Sequence, residues 1–200
     1  MMTAALINVA KTIFEMFATV ALLRFYAQAL RAPMRTHAGN PIADFVLALT
    51  DWAVKPLRRV VPSVRGFDSA SFLVAWITIV VFYLIIAVFA NPDALALATF
   101  WPSVALLSLI HLLRLSIYLL IGVIIVDALL SWVNPYHPIR PFFDLLAGPF
   151  LRPLRRIIPL IGGVDLSPLV LLLILQVLLA VPVVYLEVEA TRWLALAGAG

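Results

Sequence analysis

Four segments of this 200-residue chain are each long and apolar enough to cross a lipid bilayer, which strongly limits the folds open to it. A membrane-spanning helix needs about 20 mostly apolar residues. The predicted spans cover about 4–30, 72–89, 104–133 and 169–186. Hydrophobic residues make up 64% of the chain and charged residues 12%, which excludes a water-soluble globule of this size. The sequence therefore predicts an all-α membrane protein with four transmembrane helices.

The basic residues are concentrated in two of the three connections between these spans. Ten of the 14 lysines and arginines lie in the long connections 31–71 and 134–168, and none lies in the short connection 90–103. Basic loops stay on the cytoplasmic side of a membrane. We therefore expect a multi-pass protein of the bacterial inner membrane, with both long connections in the cytoplasm and both termini outside.

One eight-residue block occurs twice. The block KPLRRVVP at Lys55–Pro62 returns 97 positions later as RPLRRIIP at Arg152–Pro159. Repeats with a fixed displacement indicate a duplicated structural unit. We interpret the chain as two tandem repeats, 1–93 and 94–200, each built as helix, amphipathic loop and helix. Because each repeat crosses the membrane an even number of times, both should have the same orientation.

The preceding spans align at a slightly larger displacement. A shift of 103 positions pairs Lys11 with Arg114 and Arg24 with Asp127. The difference of six residues predicts an insertion near Ala32–Gly39 in the first repeat.

The paired P-L-R-R-x-x-P blocks, each followed by G-x-D, resemble the motif of the YggT (YlmG) family of small bacterial and plastid membrane proteins. Leu130–Trp132, Asn134–Pro135 and Gly162–Pro168 add to the resemblance, which covers about residues 5–187. It implies a link to osmotic-stress tolerance and ion balance, to cell division or, in plastids, to nucleoid distribution and cytochrome assembly. It brings no shared catalytic residue.

The repeated blocks are the first candidate site. Their prolines predict a short amphipathic helix at the headgroup boundary in each repeat, with a second short helix before it, at 42–50 and 139–147. The basic side chains either recognise anionic lipid headgroups or set the topology and anchor the loops. These side chains are Lys55, Arg58, Arg59, Arg152, Arg155 and Arg156.

Two aspartates precede the second and fourth spans. Asp68 and Asp165 can each cap the following helix by accepting backbone N–H bonds. A salt bridge from Asp165 to Arg155 or Arg156 is one alternative, and a cation or proton site is another.

Charges within the predicted spans are the second candidate site. Arg24 and Asp127 occupy equivalent repeat positions, and buried charges in a membrane usually find partners. We expect them to form an ion pair across the pseudo-symmetry axis. Lys11 and Glu15 can pair along one helix, and Arg114 can extend outward to the interface.

Other chemistry has little support in the sequence. The chain has no cysteine, and its three histidines, His37, His111 and His137, lack a histidine or carboxylate four residues away. Neither a nucleophile motif nor a phosphate-binding loop is present. We expect no catalytic site, metal, cofactor or nucleic-acid partner.

The function that fits these features is a scaffold or assembly factor in envelope or cell-division processes. Its expected partners are anionic membrane lipids, a second copy of the chain or other membrane proteins. The alternative is an oligomeric transporter or channel that contributes to ion or osmotic homeostasis.

Overall fold

The computed structural model describes residues 2–32, 41–63, 67–90, 92–96, 99–158 and 165–197. Apart from Ala32, the predicted insertion near Ala32–Gly39 lies outside these residues. All elements assigned in the described ranges are helical. In chain order they are α1 (Met2–Ala29), α2 (Pro41–Arg58), α3 (Ser69–Ala90), a 3-10 helix (Pro92–Ala96), α4 (Phe100–Val133), α5 (Arg140–Ile157), α6 (Ser167–Leu178), a π-helical turn (Leu179–Val183) and α7 (Val184–Ala197).

Four of these helical segments are long and apolar enough to span a membrane, which confirms the predicted fold class. They are Ala5–Ala29, Ser69–Phe89, Phe100–Val133 and Ser167–Arg192. The fourth extends beyond the predicted 169–186. A proline ring clashes with the carbonyl group four residues earlier in an α-helix, and the π-helical turn around Pro182 relieves that clash. The helix therefore continues past the proline.

The long connections each contain one helix rather than two short ones. Both α2 and α5 are 18 residues long, and they run through Pro56 and through Pro149 and Pro153, respectively. The prediction of two short helices per connection is therefore wrong. Each proline removes one backbone hydrogen bond, but all three are exposed, so their rings do not obstruct the buried side of the helix.

The two halves of the chain place their helices in the same order. Helix α2 packs against α1 and α3, and α5 packs against α4 and α6. The 34-residue α4 also contacts α1, α3 and α7, so it joins the two halves. At 1.5 Å per residue it is about 51 Å long, well beyond the roughly 30 Å hydrocarbon core.

Apolar side chains fill the interior in two clusters. In the first, small residues such as Ala18, Ala21 and Ala75 let α1 and α3 approach closely. In the second, Phe142 and Leu151 anchor α5 between the neighbouring helices. Both α2 and α5 thus contribute to the core, which fixes them against the spans.

Candidate functional site

We call α2 and α5 the elbow helices, because each lies between two spans. Each elbow helix buries one row of side chains at a spacing of three or four residues, which is Ala43, Val46, Thr50 and Val54 in α2. A second row in α2, which includes Phe45, Leu49 and Trp52, is apolar but exposed. The charged side chains form a third row. Helix α2 therefore has a packed side, an exposed apolar side and a charged side.

The first elbow helix is held to the next span by an ion pair. The Arg58 guanidinium donates from Nε to Asp68 Oδ1 at 3.1 Å and from Nη2 to Asp68 Oδ2 at 2.5 Å. Ser71 in α3 also donates its hydroxyl hydrogen to this carboxylate. Arg58 Nη2 lies 2.9 Å from Gln28 Oε1 in α1. One arginine therefore connects α1, α2 and the start of α3.

Arg24 lies within the first span and joins the same cluster. Its side chain is buried, with 1% of the residue exposed. Nη1 forms an ion pair with Asp51 Oδ1 at 2.8 Å and donates to Thr50 Oγ1 at 2.7 Å, both in α2. Nε lies 3.9 Å from Asp68 Oδ2. The charge in the span is thus paired with the elbow helix beside it, although Arg24 Nε has no hydrogen-bond partner.

The second elbow helix repeats the ion pair with a different charge in the span. Arg155 Nε donates to Asp165 Oδ2 at 2.7 Å, and Asp165 Oδ1 accepts the backbone N–H of Ser167 at 2.9 Å. The buried Asp127 in α4 lies 3.9 Å from Arg155 Nη2, and its Oδ1 has no hydrogen-bond partner. Gly148 stands at the position that corresponds to Asp51. At this position the acid therefore lies on the span, and the elbow helix contributes Asp144 instead, whose Oδ1 lies 3.9 Å from Arg155 Nη1.

The structure corrects the predicted pairing of Arg24 with Asp127. Among the described residues no ion pair joins these two side chains, since Arg24 contacts Asp51 and Asp127 faces Arg155. The physical reason is that each charge has an oppositely charged group in the adjacent elbow helix. A pair across the axis would separate Arg24 and Asp127 from these nearby groups.

The carboxyl groups of the clusters that lie outside the spans are held ionised. Burial opposes ionisation of Asp68, but hydrogen bonds from Arg58 and Ser71 outweigh it, so the pKa of this carboxyl is lowered. At Asp165 burial is likewise outweighed, by Ser167 and Arg155, and its pKa is lowered. At Asp51 burial is outweighed by Lys55 and Arg24, with the same result for the pKa. All three are therefore carboxylates at neutral pH.

The other predicted basic residues lie on the surface of the elbow helices. Lys55 Nζ pairs with Asp51 Oδ2 at 2.7 Å, yet 70% of the Lys55 side chain is exposed. Arg59, Arg152 and Arg156 are also exposed. The six basic residues thus divide into two that are held in ion pairs to Asp68 or Asp165 and four at the surface.

A second polar network in the spans was missed by the sequence analysis. His111 Nε2 in α4 lies 2.8 Å from Glu15 Oε1 in α1, and its Nδ1 lies 3.1 Å from the Tyr83 hydroxyl in α3. Lys11 Nζ lies 3.7 Å from Glu15 Oε1, as the i, i+4 spacing predicted. Glu15 and His111 are 96 residues apart, so local spacing gave no signal of this contact.

Arg114 also has a partner that its own helix does not supply. Its Nη1 lies 3.0 Å from Glu187 Oε1 in α7, so it binds another helix rather than extending freely outward. In the described part of the chain, no three histidine or carboxylate side chains are grouped closely enough to hold a metal ion. Arg114 with Glu187, and Glu15 with His111, therefore connect one helix to another.

The chain is similar to several bacterial protein sequences. It is 37% identical to the protein YggT of Escherichia coli K12 over 168 residues, which covers 84% of this chain and 83% of the relative. It is 37% identical to a Vibrio alginolyticus protein from the proC 3' region over 82% of this chain and 86% of that protein. A Pseudomonas aeruginosa protein is 28% identical over 88% of the chain and 87% of the relative. No solved structure matches the chain.

The CCB3/YggT family model matches residues 3–89 and 106–186. These two ranges contain all four spans apart from the ends of the third and fourth, and both elbow helices with their ion pairs. The match covers most of the chain, and the chain is a member of the CCB3/YggT family.

Proposed function

We propose that this chain is a non-enzymatic scaffold or assembly factor of the bacterial inner membrane, acting in envelope or cell-division processes. The observation that supports this most directly is that two ion pairs, Arg58–Asp68 and Arg155–Asp165, fix both elbow helices to spans. A surface that is already rigid binds a partner without a further cost of ordering it. Two such surfaces in one chain suit a protein that holds others in place.

In this proposal both elbow helices lie on the cytoplasmic face, and both termini lie outside. The excess of basic residues in the two long connections supports this orientation. The exposed apolar side of α2, with Phe45 and Trp52, would then dip into the inner leaflet. The exposed basic side chains would lie at the level of the lipid headgroups.

The proposed partners are anionic lipids and membrane proteins, the latter including a second copy of this chain. Each basic residue near an anionic surface contributes roughly 1 kcal/mol of attraction. Arg58 and Arg155 are engaged with Asp68 and Asp165, whereas Arg59, Arg152 and Arg156 face outward, and Lys55 is 70% exposed although it pairs with Asp51. The four outward residues are therefore the proposed contact surface.

Site-specific photocrosslinking in living cells tests the scaffold proposal. A photoreactive amino acid at Arg59 or Arg156 should give discrete crosslinked products, and the same residue at Asp93, in the short connection, should not. If neither elbow position forms products above the Asp93 control, the proposal is wrong.

A matched pair of variants tests the role of the outward charges. Replacing Lys55, Arg59, Arg152 and Arg156 with Gln should reduce the crosslinks and the preference for anionic over zwitterionic vesicles. Replacing Arg192, an exposed arginine at the far end of the fourth span, should change neither. Equal effects of the two changes would argue against the elbow surface.

A transporter remains the second candidate, because one observation favours it. Glu15, His111 and Tyr83 form a hydrogen-bonded row that links α1, α4 and α3 inside the spans. Such intramembrane ionisable groups often mark ion or proton pathways. Ion flux into vesicles that contain purified protein distinguishes the two: a scaffold gives the flux of empty vesicles, and a transporter gives a flux that Glu15→Gln reduces.

A further inference from the structure

A groove opens between α1, α2 and α3 on the first half of the molecule. Its volume is about 730 Å³, within the roughly 300–1,000 Å³ typical of ligand sites. Its walls are almost entirely apolar and include Phe17, Trp52, Ala53 and Ile77. Because α1 and α3 span the membrane, the groove faces acyl chains rather than water.

The second half of the molecule builds a counterpart of this groove between α4, α5 and α6. Three residues of the first groove correspond to lining residues of the second at a displacement of 97: Ala53 to Phe150, Thr78 to Leu175 and Val81 to Leu178. The two grooves are therefore the same feature of the repeated sequence.

The first spans supply matching walls at a displacement of 103. Ile13, Phe14 and Phe17 of the first groove correspond to Ser116, Ile117 and Leu120 of the second. Six positions thus line both grooves, three on the first span of each half and three on the elbow helix and second span.

The second groove is smaller, at about 290 Å³. Larger side chains at Phe150, Leu175 and Leu178 fill part of it, and Leu23 and Tyr26 of α1 close another part. The first groove keeps alanine, threonine and valine at those three positions. Unfilled apolar space destabilises a protein because its walls lose packing contacts. The open groove is therefore expected to take an apolar occupant.

Charge and length indicate what that occupant is. Lys55 of α2, which also pairs with Asp51, and Arg59 just after the end of α2 are exposed next in sequence to the lining residues Pro56 and Val60. Positive charge therefore lies close to an apolar groove. From Val74 to Val81 the groove follows α3 for about 10 Å, which fits within one leaflet of about 15 Å. An anionic headgroup joined to an acyl chain matches both features.

We propose that this groove binds one acyl chain of an anionic phospholipid, with the lipid phosphate at Lys55 and Arg59. The inference rests on the proposed function in one respect, namely that α2 lies at headgroup level. It adds a defined lipid site in the first half only. The smaller second groove serves as an internal control, because side chains occupy part of the corresponding space there.

Photocrosslinking in vesicles tests the site. The full chain is placed in vesicles of phosphatidylglycerol that carries a photoreactive group in one acyl chain, and crosslinked peptides are mapped by mass spectrometry. We expect crosslinks on the peptides that contain Trp52 and Val81. Ala53→Phe, which introduces the residue of the second groove, should reduce them about tenfold or more, because a phenyl ring displaces several buried methylenes.

The reciprocal variant is the matched control. Phe150→Ala should open the second groove and add crosslinks near residue 150 without changing those of the first. Thr78→Leu serves as a second filling variant should Ala53→Phe fail to fold, as judged by its thermal melting. Unchanged crosslinking in a folded filling variant, or crosslinks spread evenly over all lipid-facing helices, would overturn the proposal.

A headgroup comparison separates this proposal from the proposed function. With the wild type, phosphatidylglycerol should crosslink in the groove more strongly than phosphatidylcholine with the same acyl chain. Lys55→Gln with Arg59→Gln should abolish that difference and keep the crosslinked positions. Equal crosslinking of both lipids by the wild type would overturn the proposed headgroup contact but not the acyl-chain site. An absence of crosslinks in the groove would overturn the lipid site and would leave the scaffold proposal unaffected.

Discussion

Arg58 and Asp68 connect the first elbow helix to the second span through two hydrogen bonds, at 3.1 Å and 2.5 Å. Arg155 and Asp165 make the corresponding contact 97 positions later, at 2.7 Å. The environments differ, because the side chain of Asp68 is 4% exposed and that of Asp165 is 26% exposed. The same ion pair thus occurs once inside the protein and once near its surface.

This difference predicts unequal effects of removing each carboxylate charge. Asp68→Asn should lower the free energy of unfolding by about 3 kcal/mol, because it leaves the buried Arg24 and the Arg58 guanidinium with too little negative charge. Asp165→Asn should lower it by only about 1 kcal/mol, since solvent screens the more exposed pair. Unfolding in mixed micelles by titration with sodium dodecyl sulfate measures both values. Equal losses would contradict the assignment of Asp68 as the more deeply held residue.

The lowered pKa values of Asp51, Asp68 and Asp165 predict how stability depends on pH. Each carboxyl has a lower pKa in the folded than in the unfolded chain, so the folded state gains stability above the unfolded value of about 4. That gain is lost as the pH falls through the still lower folded values. The contribution of these three carboxyl groups should therefore be lost, and the melting temperature should fall, as the pH drops below about 4. In the Asp68→Asn variant the melting temperature should fall less over the same pH range.

The corrected pairing of Arg24 and Asp127 predicts how their substitutions combine. Arg24→Ala and Asp127→Ala share no partner, so their effects on the free energy of unfolding should add to within about 0.5 kcal/mol. Arg24→Ala and Asp51→Ala should not add, since either change already breaks the 2.8 Å pair. Two double mutants, compared with their three single mutants and the wild type, supply the test. If the coupling energy between Arg24 and Asp127 is as large as that between Arg24 and Asp51, the corrected pairing is contradicted and an ion pair across the axis is supported.

The end of α1 predicts a stabilising substitution. Arg31 has a φ of 56°, a left-handed conformation that favours glycine. The backbone N–H of Ala32 donates to Ala27 O at 2.7 Å and that of Arg31 to Gln28 O at 3.1 Å, which is the usual glycine-ended helix terminus. Arg31→Gly should raise the free energy of unfolding by about 1 kcal/mol. Ala29→Gly, inside the last turn, should lower it by a similar amount, and a loss in both variants would contradict this reading of the helix end.

The fold could be predicted from the sequence because membrane spans depend on local composition. Eighteen or more consecutive apolar residues leave few alternatives to a spanning helix. The contact of Arg155 with Asp165 was also within reach, since only ten residues separate them and both flank a proposed helix boundary. Features set within a short stretch of chain were therefore predictable.

The partners of the charges in the spans could not be predicted in this way. Asp51 faces Arg24 because α2 packs between α1 and α3. Glu15 meets His111 across 96 residues through the packing of α1 on α4. Such contacts depend on tertiary packing, which the pattern of one sequence does not specify.

The central claim is that both elbow helices lie on the same, cytoplasmic face of the membrane. The chain has no cysteine, so single cysteines can be introduced without other changes. Arg59→Cys, Arg156→Cys and Asp93→Cys are to be treated in intact cells with a thiol reagent that does not cross the inner membrane. We predict labelling of the variant at position 93 alone, and labelling at 59 and 156 only after the membrane is permeabilised. Labelling of positions 59 and 156 from opposite sides would contradict the account.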